Sequence, residues 1–262
     1  MSADIGTSRK VTAAIEDAPE IAGRAWTELR GELVSLLGED LAAMWAYGGT
    51  ISAGASVPLG DLDTFVVVRG PVEARTAQAI EAAEAAISHE TGVDWDTWYV
   101  LEADARRPEM PRHAWRDRLN ESWAIDRAHW LGGRYVLLHG AEPGRVVSPP
   151  TRGELQGALA AEVEHLERHV DAGDTDPYEA TYAFLNGSRI VRAIETGDVV
   201  ISKREAGPWG LEYLDDRWHP ALEAALHAYA GHPTREDATL LAREMAPFVA
   251  MVRQRMGTAP PP

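Results

Sequence analysis

A chain of 262 residues, 45% of them hydrophobic, is long enough to bury a sizeable core in one large domain or two modest ones. Its charge is strongly acidic, 41 Asp and Glu against 25 Lys and Arg, and the net −16 disfavours nucleic acid and anionic membranes while attracting cations. There is no cysteine, which excludes disulfides, thiolate catalysis and cysteine-type zinc sites; no run reaches ~18 apolar residues and MSADIGTSRK has no apolar signal core, so a cytoplasmic protein without membrane contact is expected.

Apolar positions Ile15, Ile21, Trp26, Leu29, Leu33, Leu36 and Leu37 recur at helical spacing and predict a helix over 11–44. Met44 to Tyr47 then leads into a Gly48-Gly49 turn. Asp61 to Val68 reads as a strand, 72–89 as an Ala/Glu-rich helix ending near Gly92, and 93–101 (VDWDTWYVL) as a second strand. The charged, proline-punctuated stretch 102–113 reads as a loop and 124–135 as a helix. A short apolar run at 135–138 is ended by the turn His139-Gly-Ala-Glu-Pro-Gly. Ser148-Pro-Pro-Thr-Arg-Gly reads as a linker. Helical patterns follow over 154–170, 177–195, 220–229 and 235–255, and the tail GTAPPP is expected to be disordered. The pattern is α+β: an N-terminal α/β half and a C-terminal helical half.

Aspartate is a poor strand residue, yet Asp61 and Asp63 stand at i, i+2 and share one face at the head of an apolar strand. Upstream, Gly48, Gly49 and Thr50 are small enough to let the backbone approach a phosphate and bind it through N–H groups. Asp96, with Asp94 on the same face, lies on the next strand. A third carboxylate there completes an all-oxygen site for one or two Mg²⁺ ions that bridge phosphates. Alone, Gly-Asp-x-Asp is an ordinary turn and strand cap; the combination with Gly-Gly-Thr and a following acidic strand is more specific. The acids of DAGDTDPYE (Asp171, Asp174, Asp176, Glu179) precede a helix, where they cap it and complement its dipole. His165 and His169 are spaced for metal, but with no HExxH and no evident third ligand they read as a solvated helix face. The chain has only two lysines, Lys10 and Lys203.

The run from Gly48 to Val68 resembles the signature of the nucleotidyltransferase superfamily, and the chain from Trp45 to Gly231 is similar to the aminoglycoside nucleotidyltransferases that adenylylate streptomycin and spectinomycin. The segments GSRIVRAIETGDVVISKREAGPW and HPALEAALHAYAG carry the second part of that likeness. The resemblance implies a nucleotidyltransferase-type α/β domain with a small mixed sheet over 1–149 and a helical bundle over 150–262 that closes on nucleotide and substrate. It implies a monomer that takes Mg²⁺, ATP and a cationic antibiotic. Asp61, Asp63 and Asp96 match its metal-binding acids, and Asp96 its catalytic base, here one methylene shorter than the family's glutamate, with Asp94 able to share the role. Gly48, Gly49 and Thr50 match the nucleotide cradle. Arg189 and Lys203 match the triphosphate grip. Glu179 falls where the family has an acidic residue facing the drug, and Trp115 matches a pocket tryptophan; from the acidic turn itself Asp176 is a further candidate substrate contact, with Trp98 and Trp123 near the presumed cleft. A relative acting on another small hydroxylated metabolite or on a protein is the alternative; a non-catalytic binding module has no need of three mutually repelling acids.

Overall fold

The computed structural model describes residues 14–53, 61–172 and 176–258. The expected start of the first helix at 11–13, Asp174, and the tail from 259 lie outside the described residues. The chain divides into two compact units, Met1–Pro150 and Thr151–Pro262.

In the first unit, α1 (Glu20–Leu37) is followed by β1 (Leu41–Ala46), α2 (Gly48–Ala53), β2 (Leu62–Val68), α3 (Ala74–Thr91), β3 (Trp95–Leu101), α4 (Glu102–Ala105), α5 (Trp123–Leu131), β4 (Val136–Gly140) and α6 (Pro143–Val146). The four strands form one mixed sheet in the order β3-β2-β1-β4. β2 and β3 are parallel, whereas β1 runs antiparallel to both β2 and β4.

The helix predicted over 11–44 stops at Leu37. Gly38, at φ 52°, ends it in the left-handed region that favours glycine, a 3₁₀ turn follows, and Leu41–Ala46 becomes a central strand. Alanine favours helix locally, but pairing on both edges with β2 and β4 overrides that preference. The Gly48-Gly49 turn is the start of α2, and the loop predicted from 102 opens with the single turn of α4.

Both faces of the sheet are covered, which is why β2 reads as nearly unbroken Leu, Phe and Val. On one face Trp26, Leu29 and Leu33 of α1 and Ile80 and Ile87 of α3 pack on Leu62, Val66, Val68 and Tyr99. On the other, Trp45, Phe65, Val67 and Val100 meet Trp123 and Trp130 of α5. Phe65 lies 4.6 Å from the Trp130 ring and stacks on Trp45 at 5.1 Å. This aromatic layer fixes the strands whose ends carry the acids.

The second unit comprises α7 (Arg152–Asp171), α8 (Pro177–Thr196), α9 (Lys203–Tyr213), α10 (His219–Tyr229) and α11 (Arg235–Thr258). α7, α8 and α9 begin where a side chain caps them. Thr151 and Glu154 form a reciprocal capping box on α7, and Ser202 and Glu205 form another on α9. The second box marks a helix that apolar periodicity did not reveal. α8 is the buried centre, with Phe184 against Phe248 of α11 at 4.4 Å. Among the described residues no helix is long and apolar enough to cross a membrane.

Candidate active site

The parallel pairing of β2 and β3 places Asp63 directly beside Asp96. Strand alternation puts both on the face that carries Phe65, Val67 and Val100, and Asp61 precedes them on the same side. Asp61 is exposed, and Asp63 and Asp96 are half-buried at the strand ends. Asp94 is exposed and lies before β3, where its carbonyl accepts the Leu62 N–H at 2.8 Å.

Gly48 and Thr50 tie the start of α2 to this edge. The Thr50 hydroxyl donates to the Asp61 carbonyl (3.2 Å), and the Tyr47 N–H donates to the Asp63 carbonyl (3.1 Å). Gly48 adopts φ 80°, and a Cβ built there meets Asp63 Oδ2 at 1.7 Å. The glycine thus lets the backbone lie against the carboxylate. Gly48→Ala is expected to lower stability by roughly 1–3 kcal/mol, since it combines a disfavoured φ with a clash. Urea unfolding measures this, and an unchanged midpoint would show that the turn relaxes freely.

Burial foremost raises the Asp96 carboxyl above its usual range; nearby Arg118 opposes this and the charge of Asp61 adds to it. Tyr47 is buried among acids: burial first, then Asp126, Asp63 and Asp96, push its hydroxyl well above the ordinary value. The edge therefore concentrates negative charge. Its donors are all hard oxygens that repel one another, a set that fits Mg²⁺. Asp61, Asp63 and Asp96 share a face of the sheet; among the described residues, a group of three possible metal ligands lying within 4.8 Å of one another is His165, His169 and Glu179.

Two residues near this edge carry no motif in the sequence. Arg118 reaches Asp96 at 3.8 Å, donates to the Thr97 carbonyl (2.9 Å) and lies 4.2 Å over the Trp98 ring. Asp126 of α5 accepts from Asn120 at 3.2 Å. Trp115 belongs elsewhere. It packs on Tyr99 at 4.4 Å and donates its indole N–H to Glu81, on the sheet face opposite the carboxylates. Trp98 and Trp123 lie on the carboxylate face, and of these Trp98 is the half-exposed one.

Within the helical unit, Arg189 and Lys203 converge. Arg189 of α8 donates to Asn186 Oδ1 (2.9 Å), and Lys203 Nζ sits 4.3 Å over the Tyr182 ring at the start of α9. Tyr182 donates to Glu162 (2.6 Å), and the Asn186 amide donates to the same carboxylate. Glu162, silent in the sequence, is thus the anchor of this cluster. Asp176 caps α8 by accepting the Tyr178 N–H (3.0 Å), and Glu179 faces His169 at 3.6 Å.

Residues 145–255 match the family model described as the aminoglycoside adenylyltransferase C-terminal domain. A crystal structure of spectinomycin adenyltransferase AAD(9) from Enterococcus faecialis, with ATP and spectinomycin, is similar over 87% of this chain and 98% of that one, at 16% identity and a TM-score of 0.65. No curated protein matches the chain by sequence. The chain thus shares the fold of that structure, and residues 145–255 carry a domain of the aminoglycoside adenylyltransferase C-terminal kind.

Proposed function

We propose that the protein transfers AMP from Mg-ATP to a hydroxyl of an aminoglycoside or aminocyclitol antibiotic of the streptomycin or spectinomycin kind, releasing pyrophosphate. The observation that carries this reading is the in-register pair Asp63 and Asp96, joined by Asp61 on one sheet face beside the Gly48 turn. ATP and spectinomycin in the AAD(9) structure support the choice of nucleotide and acceptor class.

In this reading Asp61, Asp63 and Asp96 hold Mg²⁺, which when bound neutralises phosphate charge. Asp96 accepts the proton of the attacking hydroxyl, and Arg118 beside it orients the carboxylate. Gly48, Gly49 and Thr50, at the first turn of α2, receive phosphate oxygens on backbone N–H groups. Arg189 and Lys203 grip the triphosphate, and the N-terminal position of Lys203 on α9 adds the helix dipole to its charge. Glu179 and the net −16 favour a polycationic acceptor.

The test is pyrophosphate release from Mg-ATP by the full chain, across streptomycin, spectinomycin, other aminoglycosides and a no-acceptor control. Release that depends on one drug, with a product heavier by one AMP, is expected. Silence across the panel by protein that still binds Mg-ATP would overturn the antibiotic as acceptor.

A further inference from the structure

His165 and His169 stand one turn apart on α7, and Glu179 comes from the first turn of α8. One ligand atom from each lies within 4.8 Å of the other two. Glu179 reaches His169 Nδ1 at 3.6 Å, and the two imidazole rings meet edge to face with centroids 4.6 Å apart. All three side chains are half-buried. A simple ion pair accounts for His169 and Glu179 but not for His165, which brings a second nitrogen to the same point.

We propose that His165, His169 and Glu179 form a binding site for a divalent transition metal, Zn²⁺ being the ion of choice for testing. Two imidazoles and one carboxylate are a known three-ligand zinc set that leaves a fourth position for water. Zinc–ligand bonds of about 2.0–2.2 Å place tetrahedral ligand atoms about 3.4 Å apart. The observed cluster therefore needs to close by about 1.4 Å at most, which side-chain torsions supply without moving either helix. The helices are already joined nearby, because Tyr182 of α8 donates to Glu162 of α7 at 2.6 Å. Imidazole nitrogen is a poor ligand for Mg²⁺, so this site and the all-oxygen edge of the sheet select different ions. A metal here would also neutralise Glu179 and weaken binding of a cationic drug; that consequence rests on the function proposed above, whereas the site does not.

Full-length protein, stripped with chelator and held in excess Mg²⁺, would be titrated with Zn²⁺ by calorimetry and followed by thermal unfolding. Co²⁺ in its place would be read by visible absorption. One equivalent bound, a raised Tm and a tetrahedral Co²⁺ spectrum are expected. His165→Ala and His169→Ala should each weaken binding by at least the ~10–100-fold that loss of an outer-shell partner costs. His232→Ala, at an exposed position outside the cluster, should leave it unchanged. Circular dichroism confirms that each variant is folded. Absence of saturable binding, or binding that both cluster variants leave intact, would overturn the site. So would a His169→Ala variant that loses stability in a parent protein indifferent to Zn²⁺, the signature of an ion pair alone.

Discussion

Asp63→Asn is expected to lower AMP transfer about a thousandfold while leaving the fold intact. The magnitude follows from the role: cation-mediated stabilisation of phosphoryl charge is worth several kcal/mol, and about 4 kcal/mol corresponds to that factor. The specificity follows from geometry. Asp63 is the residue that touches both halves of the site, lying beside Asp96 across the parallel ladder and against the Gly48 backbone. Asparagine has the same shape, so the close approach to Gly48 and the Tyr47 N–H bond to the Asp63 carbonyl both survive. What is lost is one negative charge. Steady-state pyrophosphate release gives the rate, and circular dichroism with thermal unfolding gives the fold. A rate within about tenfold of the parent enzyme's would remove Asp63 from the cation-holding set.

How much of this site was legible beforehand depends on how local each signal is. The shared face of Asp61, Asp63 and Asp96 was readable because strands alternate: acids at alternate positions in an apolar strand share a face, and two parallel strands bring such faces together. The helical unit was readable from 3.6-residue periodicity, but α9 was announced only by the capping pair Ser202 and Glu205. β1 was hidden because Leu41–Ala46 is alanine-rich and its strand character comes entirely from pairing with β2 and β4. The place of Trp115 was not legible for a similar reason. Nothing local says which side of the sheet a loop will cross, and this one brings Trp115 to Tyr99. Arg118, Asp126 and Glu162 carry no motif; each matters through a partner distant in sequence or set by tertiary packing. The same holds for His165 and His169. Their i, i+4 spacing was visible, but a third ligand could be recognised only once α8 delivered Glu179 to them.

Asp96→Asn is expected to reduce kcat by about 10²–10⁴, the range for a lost general base, with far less change in KM. The same substitution should not weaken the fold. Burial above all raises the Asp96 carboxyl, Arg118 lowers it, and Asp61 raises it further. A carboxyl raised in the folded state holds its proton more tightly there than in the unfolded chain. Its stabilising contribution is therefore complete below the unfolded pKa and lost as pH rises through the folded one. At neutral pH the ionised side chain burdens the metal-free protein. Chelator-treated Asp96→Asn should accordingly match or exceed the parent Tm, the mark of a residue kept for chemistry at some expense of stability. Asp94→Asn is the informative partner. Asp94 lies before β3 and outside the register with β2, so its loss should cost much less activity. The reverse ranking, with Asp94→Asn inactive and Asp96→Asn near normal, would transfer the base to Asp94 and require the acceptor hydroxyl to approach one strand step earlier.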